Sequence, residues 1–511
     1  MSQHASTRPD CAPLRAGHVT FAVFAPFGTD EQLSTFPDGQ PHEVLQHPLV
    51  RNLREVAATG TTVTALVDLV GSDTWRVDIP AGQPAAATAV SLGKLQMDAP
   101  ATLATFLAHA RPRERGDALV LSMEGHGAGF LPEIDRRHLT LGEVTEGGKL
   151  EWRLGSSTNV YDAEGGQPVV SEGAPVLPIG NPTCPGNHLV LSTWGLAEGL
   201  GSAALARQGR AVEVLHFNNC FNMSVEVLHT VAPYAAFATG YCNYNFFTAG
   251  QAYPAVFKRL AAAGSASAEE LAKWFAAENH AVLAENGHEP TVGCTVDLAR
   301  MHGIVEKVDD LSDALLAALR TSSPADRPAV VDKIGQAIAA AQQYDSRPDF
   351  DLEVPDELTD LDSFATELLA QDFGPFRVHA AADALRCALS GIKQYGDVGS
   401  PWMAPDQVWD FSSKNLAMNI FLPDPMRRGL WDWRSQYYLD VNPDPSKPLV
   451  QPHIIDFVKV TDWVDFLVEY HRDTPFVGLL EAKIPDFPVI SRKGTPPPRP
   501  TPKAGTVAAK A

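Results

Sequence analysis

Residues 212–240 have the sequence VEVLHFNNCFNMSVEVLHTVAPYAAFATG, in which two apolar runs are separated by a polar turn and a mixed segment. The runs VEVLHF at 212–217 and YAAFATG at 234–240 have the length and apolar content of strands buried on both faces of a sheet. The segment that follows the polar turn predicts a helix. This unit of strand, turn, helix and strand indicates an α/β fold.

Similar units precede this stretch. Further strands are predicted for the apolar runs at 19–25 (VTFAVFA), 62–70 (TVTALVDLV) and 118–123 (ALVLSM). Helices are predicted over residues 43–58, from Pro100 onward and over residues 193–208. Strands that alternate with helices in this way predict a mostly parallel sheet.

The second half of the chain has a helical pattern. Ser267 and Glu270 form a capping box before LAKWFAAENHAVL, and helices are predicted near 298–320 and 325–343. Further on, LAMNIFL at 416–422 is a strand candidate and a helix begins near Thr461. We therefore expect a second, helical and mixed lobe that packs back on the sheet.

These patterns divide the chain into four parts. We expect a disordered N-terminus at 1–18, a core at 19–264, the C-terminal lobe at 265–490 and a disordered, Pro-rich basic tail at 491–511. Within the core, residues 131–190 form a connection of about 60 residues with few strand or helix signals. A loop of this length predicts a mobile insertion.

Composition and charge exclude several classes of protein. The chain has 40 basic and 61 acidic side chains, and the net charge of −21 argues against general nucleic-acid binding. No run of about 18 apolar residues predicts membrane insertion, and the first 18 residues lack the apolar segment of a signal peptide. We therefore expect a cytoplasmic protein.

The six cysteines favour neither disulfides nor a zinc ribbon, because they lie at least 22 residues apart and include no CxxC pair. Free thiols are expected. The sequence also lacks GxxxxGK[ST], HExxH and an EF-hand loop, so no cofactor and no metal are predicted. No GxSxG follows a predicted strand, which argues against an ordinary serine hydrolase.

Two turns at strand ends carry candidate catalytic residues. Glu124, Gly125, His126 and Gly127 follow the strand at 118–123, and Asn218, Asn219 and Cys220 follow the strand at 212–217. In a parallel sheet, functional groups collect at the carboxyl ends of the strands. We therefore expect the His126 and Cys220 side chains to meet at one edge.

A cysteine and a histidine that meet in this way can perform nucleophilic catalysis. Cys220 would supply the thiolate and His126 would move the proton. A helix N-terminus after Cys220 would lower the pKa of the thiol. The N–H groups of Gly127 and Cys220 would form an oxyanion hole, so acyl transfer through a thioester and amide hydrolysis are predicted.

Taken singly, each residue also has a structural interpretation: a lone cysteine is often a buried apolar residue, and a histidine between glycines is often a turn residue. Among the other cysteines, Cys184 and Cys242 are weaker candidates for the nucleophile because neither is predicted to begin a helix. Cys294 and Cys387 are interpreted as core residues, and Cys11 lies in the expected disordered N-terminus.

At this level of detail the chain resembles the clostripain-like cysteine peptidases, relatives of caspases, gingipains and legumains. The resemblance is specific in LVLSMEGHG and in LHFNNCFNMSVEVLHTVAPYAAFATGYCNY. LSTWGLAEGL, TVGCTVDLARM, LTDLDSFATELL and the region 415–470 are also similar to parts of the family. The resemblance covers roughly residues 20 to 470.

The resemblance implies a caspase-like α/β/α sandwich and cleavage of peptide bonds in selected partner proteins. By position, His126 is the general base and acid, Cys220 is the nucleophile, and Gly127 and Cys220 are the oxyanion donors. Some members are activated by cleavage in loops near the site, which makes residues 131–190 a candidate activation segment. Relatives in regulated proteolysis suggest bacterial defence or regulated cell death as the setting, with a regulatory partner.

The chain departs from the family pattern at Asn218. Clostripain-like enzymes have an acid two residues before the nucleophile, which pairs with an arginine or lysine of the substrate. An amide supplies no charge, so we predict a neutral or apolar P1 residue, unless Glu124 or Glu226 fills the pocket. The alternative is a catalytically degenerate caspase-like scaffold that binds partners.

Overall fold

The computed structural model describes residues 13–28, 31–34, 43–111, 117–127, 129–130, 191–246, 248–286, 289–344, 358–400, 408–422 and 455–471. The insertion at 131–190 and the tail at 491–511, both predicted from the sequence, lie outside these ranges, as do Cys11 and Cys184.

The described residues form thirteen strands: β1 (Val19–Pro26), β2 (Thr62–Asp68), β3 (Thr74–Ile79), β4 (Thr88–Ser91), β5 (Ala118–Glu124), β6 (Val212–Asn218), β7 (Ala235–Tyr241), β8 (Val292–Asp297), β9 (Leu358–Asp360), β10 (Lys393–Gly396), β11 (Val398–Gly399), β12 (Trp409–Asp410) and β13 (Asn419–Phe421). Nine of them form one sheet in the order β10-β8-β7-β6-β5-β1-β2-β3-β4. The five central strands, β7 to β2, are parallel, and the pairs at both ends are antiparallel. Two small ladders, β9 with β13 and β11 with β12, complete the strands.

Thirteen α-helices lie in the same ranges: α1 (Glu31–Ser34), α2 (Pro48–Ala58), α3 (Pro100–Ala110), α4 (Thr193–Arg207), α5 (Val225–Val231), α6 (Tyr253–Ala263), α7 (Ala268–Asn286), α8 (Met301–Thr321), α9 (Arg327–Ala340), α10 (Leu361–Leu369), α11 (Val378–Leu389), α12 (Asp456–Val460) and α13 (Trp463–His471). The capping box predicted for α7 is present, because the Glu270 carboxylate accepts from the Ser267 N–H at 2.8 Å and Ser267 Oγ accepts from the Glu270 N–H at 3.1 Å.

Helices cover both faces of the sheet, because alternate side chains of each central strand point to opposite sides. In β1, Phe21 and Val23 pack with α2, α6 and α7, whereas Ala22 and Phe24 belong to the core under α3, α4 and α5. Both sets are almost fully buried. The mostly parallel α/β fold predicted from the apolar runs is therefore confirmed.

The C-terminal region shares this core. The apolar cluster on the α3 and α4 face continues through α8, α9, α10 and α11 to Trp463 and Phe466 of α13. Strands β8 and β10 extend the main sheet, so the predicted boundary at residue 264 does not mark the end of the sheet. None of the described helices is both long and apolar enough to cross a lipid bilayer.

Several elements differ from the sequence predictions. The helix predicted over 43–58 is a 3₁₀ turn at Val44–Gln46 followed by α2, whose first residue is Pro48. The disorder expected for residues 1–18 does not reach Leu14, which pairs with Ala266 through two backbone hydrogen bonds of 2.7 and 2.9 Å. Seven of the described strands were not predicted from the sequence: β3, β4 and β8 to β12.

Candidate active site

The two candidate turns lie side by side because β5 and β6 are parallel neighbours. Glu124, the last residue of β5, is in register with Asn218, the last residue of β6. His126 and Cys220 each follow this pair by two residues. The sheet therefore delivers both residues to the same edge, as the sequence predicts.

Gly127 contacts Cys220 directly. A Cβ atom added to Gly127 would lie 2.1 Å from the Cys220 carbonyl oxygen, a distance that real Cβ atoms do not reach, and 3.0 Å from the Cys220 nitrogen. Only glycine fits at this position without a shift of the Cys220 backbone. The turn after β5 and the turn after β6 are thus in contact through the residue that follows His126.

Cys220 does not lie at a helix N-terminus. Phe221 has a left-handed backbone conformation with φ of 60°, and α5 begins only at Val225, where Ser224 Oγ accepts from the Val227 N–H at 3.2 Å. The expectation that a helix dipole activates the thiol is therefore wrong. The sequence does not reveal this turn because no glycine marks the left-handed residue.

The backbone of Asn245, in the turn after β7, encloses the Cys220 thiol. Sγ donates to the Asn245 carbonyl at 3.4 Å and accepts from the Asn245 N–H at 3.3 Å. Burial raises the pKa of the thiol to about 11, although the N–H groups of Asn245 and Gly127 oppose that rise. The thiol is therefore neutral at physiological pH, contrary to the expected lowered pKa.

His126 is exposed at the edge of the sheet and, with Gly127, lines a small pocket that is partly open to solvent. Most of the remaining lining is apolar and comes from the core side of β1, β5, β6, α4 and α5: Phe24, Met123, Leu196, Phe217 and Val227. Polar groups in the lining come from Glu124, Ser192, Thr193, Asn219 and Asn222, and the amides of Asn219 and Asn222 hydrogen-bond each other at 2.9 Å. The pocket beside the imidazole is therefore lined by apolar side chains together with a few polar groups.

Asn218 and Glu124, the two predicted substrate-binding residues, lie buried beneath the edge. Asn218 Nδ2 donates to Glu124 Oε2 at 2.8 Å, and Asn218 Oδ1 accepts from Asn245 Nδ2 at 2.9 Å. Glu124 Oε1 accepts from the hydroxyls of Ser122, at 2.9 Å, and of Tyr253. Asn218 therefore connects the buried carboxyl to the turn that holds the thiol.

Burial raises the pKa of Glu124 to about 7, and the hydrogen bonds from Tyr253, Asn218 and Ser122 limit that rise. Glu226, the other acid considered from the sequence, accepts from the Phe421 N–H at 2.8 Å and is not among the residues that line the pocket.

The remaining cysteines occupy different environments. Cys242 and Cys294 are fully buried, with 3.3 Å between their sulfurs. Cys387 is exposed, so its interpretation as a core residue is wrong. Within the described ranges, no group of three or more His, Cys, Asp or Glu side chains is arranged to hold a metal ion.

Sequence reasoning missed Asn245. Its signal was the same one that identified Cys220, because Asn245 follows β7 at the edge where β5 and β6 end. In the sequence this turn is marked by Cys242, and Asn245 follows three residues later.

The fold is similar to solved structures of cysteine proteases. A secreted C11 cysteine protease from Bacteroides thetaiotaomicron, solved in complex with an irreversible peptide inhibitor, matches 88% of this chain and 99% of its own at 12% identity and a TM-score of 0.50. A second structure of a secreted C11 cysteine protease from the same organism, "iotapain", matches 82% of this chain and 96% of its own at 10% identity and a TM-score of 0.50. At the level of sequence, no family model and no curated protein matches the chain. The nine-stranded sheet with helices on both faces and a helical C-terminal region is therefore the caspase-like fold of the C11 cysteine proteases.

Proposed function

We propose that the chain is a caspase-like cysteine endopeptidase with Cys220 as nucleophile and His126 as general base and acid. The observation that carries the proposal is the contact between Gly127 and Cys220, at the edge where two parallel strands of a C11-type fold end. The fold alone is compatible with many activities. Cys220 at this contact, and His126 directly before Gly127, are residues of the types that nucleophilic peptide-bond hydrolysis uses.

In the proposed reaction, the neutral Cys220 thiol transfers its proton to His126 as the sulfur attacks the scissile carbonyl carbon. The N–H groups of Gly127 and Cys220 stabilise the tetrahedral oxyanion. Collapse breaks the C–N bond, and the leaving amine takes the proton from His126. Water, deprotonated by His126, then hydrolyses the thioester, which releases the carboxylic acid and restores the thiol.

Because the pKa of Cys220 is raised, His126 has to remove the thiol proton during the attack. A thiol with a pKa near 11 is almost entirely protonated at pH 7, so attack has to be coupled to proton transfer. Removal of the imidazole should therefore abolish turnover rather than merely shift its pH dependence.

We also propose that the enzyme prefers a neutral or apolar P1 residue in a peptide or protein substrate. Three features support this preference: the neutral amides of Asn218 and Asn245, the enclosure of Glu124 by hydrogen-bond donors, and the apolar side chains that line the pocket beside His126. A cleavage profile on peptides varied only at P1 tests it, and dominant cutting after arginine or lysine would contradict it.

The decisive experiment compares Cys220→Ala and His126→Ala with Cys387→Ala, which removes an exposed thiol elsewhere. We expect the first two variants to fold and to lose peptide hydrolysis, and the third to keep it. Because Cys220→Ala can bind but not cleave, it can also trap the natural substrate. Hydrolysis that survives in Cys220→Ala and His126→Ala would contradict the assigned roles, and no hydrolysis even in wild type would favour the non-catalytic scaffold, whose binding of partners would not need the thiol. The cytoplasmic location and the role in defence or cell death stay predictions from the sequence.

A further inference from the structure

The turn that carries Cys220 has an unusual backbone. Phe221, directly after the candidate nucleophile, has φ of 60°, a left-handed conformation that is unfavourable for a bulky residue. Phe221 is almost fully buried, and its ring packs on Tyr244 with 4.7 Å between centroids. A left-handed conformation at a large residue persists only where the surroundings impose it.

Asn419 of β13 supplies much of that constraint. Its Nδ2 donates to the Phe221 carbonyl at 2.7 Å and to the Cys242 carbonyl at 2.8 Å. Its backbone N–H donates to the Met223 carbonyl at 3.0 Å. A single buried residue thus ties together the turn after β6 and the turn after β7.

Two further backbone hydrogen bonds also join the turn after β6 to the end of β7 and the turn after it. The Phe221 N–H donates to the Asn243 carbonyl at 3.0 Å, and the Met223 N–H donates to the Tyr241 carbonyl at 3.1 Å. Asn419 therefore adds to the hydrogen bonds that hold the turn after β6 against the turn after β7. Asn245, in the turn after β7, encloses the Cys220 thiol.

Nothing else about Asn419 explains an amide at this position. It is fully buried, and its neighbours in β13 and the preceding segment, Ile420, Met418 and Ala417, are apolar and equally buried. Burial of a carboxamide is unfavourable where its polar atoms lack partners, and here Oδ1 accepts no hydrogen bond from the described residues, so the two Nδ2 bonds to the turns after β6 and β7 are the side-chain interactions that an amide supplies at this position.

We propose that Asn419 is a positioning residue for Cys220, which acts by holding Phe221 in its left-handed conformation and the two turns in contact. This inference rests on the proposed peptidase function for its catalytic consequence. The positioning itself is a property of the turn and can be measured without any substrate.

The test compares Asn419→Ala with Gln343→Ala. Gln343 is a matched control because it is also a buried amide with two side-chain hydrogen bonds, to Ile338 O and from Thr359 Oγ1, but neither of these involves the turn. Both substitutions should lower the thermal stability by similar amounts. A role confined to stability would then predict the same behaviour at Cys220 in both variants.

Three readouts separate the two roles. In Asn419→Ala, but not in Gln343→Ala, hydrogen exchange of the Phe221 and Met223 amides should accelerate. Iodoacetamide should alkylate Cys220 roughly tenfold faster, because a loosened turn exposes the thiol and lowers its pKa. Peptide turnover should fall by about tenfold or more in kcat with little change in KM, because the nucleophile is misplaced.

Asn419→Ser, which keeps one donor, serves if the alanine variant fails to fold, and it should give intermediate changes in the same directions. Exchange and alkylation at the turn that match wild type in the folded Asn419 variants would overturn the proposal. If the protein hydrolyses no peptide at all, exchange and alkylation still decide the positioning role, and only the proposed function fails.

Discussion

The α-carbon of Gly127 faces the Cys220 backbone so closely that an added Cβ would lie 2.1 Å from the Cys220 carbonyl oxygen. Gly127→Ala must therefore separate the turns after β5 and β6. We expect peptide hydrolysis to fall by about a hundredfold, because misplacement of a catalytic group by about 1 Å has effects of this size. Steady-state kinetics of the purified variant measure this loss.

The control for Gly127→Ala is Gly303→Ala, which adds the same methyl group in α8 where nothing lies within 4 Å. Alanine favours the helix by roughly 1 kcal/mol over glycine, so this variant should be slightly more stable than wild type and fully active. Equal activity of the two variants would show that the contact at Gly127 is dispensable.

The order in which the cysteines react with a small alkylating agent should reflect burial. At pH 8, about one in a thousand molecules of a thiol with a pKa near 11 is ionised, against about a quarter for a free thiol. Peptide mapping after brief treatment with iodoacetamide should therefore find exposed Cys387 labelled well before Cys220, and Cys242 and Cys294 protected. Preferential labelling of Cys220 would show that its thiol is activated before substrate binds.

The stability of the protein should depend on pH through Glu124. Its pKa is raised from 4.5 to about 7 in the folded protein, so the folded state retains a proton that the unfolded chain loses as pH rises above 4.5. This contribution is complete below pH 4.5 and is lost as pH rises through 7, with a total of about 3 kcal/mol. Urea unfolding across this interval should show a steeper loss of stability in wild type than in Glu124→Gln.

The comparison with Glu124→Gln matters because Asp360 also has a pKa raised to about 7 by burial. Asp360 is present in both proteins, so its contribution cancels in the difference between them. Identical pH slopes for the two proteins would mean that Glu124 is ionised when folded.

Asn218→Asp should fail to create a site for basic side chains on its own. The new carboxylate would face Glu124 across the 2.8 Å contact that the amide now makes, and two carboxylates at this distance cannot both be charged. We expect a loss of about 3 kcal/mol at pH 8, largely restored by adding Glu124→Gln. A double-mutant cycle in urea measures this coupling, and additive effects of the two substitutions would contradict it.

A strand can be predicted from the sequence when its own residues form a recognisable apolar run. β1, β5, β6 and β7 are buried on both faces and therefore have continuous apolar sequences, which predict strands without reference to the rest of the chain. β4 is largely exposed, and only half of β3 is buried, so neither has such a run. β8 and β10 lie in the part of the chain that the sequence assigned to the lobe.

The candidate site was predictable to the same extent. His126 and Cys220 directly follow recognisable strands, and functional groups collect at the carboxyl ends of parallel strands, so both residues could be identified from the sequence. The left-handed turn at Phe221 and the raised pKa of the thiol depend instead on partners distant in sequence. Asn419 is 198 residues from Phe221, and no local pattern connects the two.

The position of β13 has a consequence for biosynthesis. The ribosome delivers the Cys220 sulfur nearly two hundred residues, and the His126 imidazole nearly three hundred residues, before it delivers Asn419 of β13, which fastens the turn at Cys220. A nascent chain that ends before residue 419 lacks the two amide donors that Phe221 and Cys242 use, so the catalytic edge is completed only when synthesis is well advanced. On the proposed function, a harmful hydrolase would thereby be kept incompetent for most of its own translation.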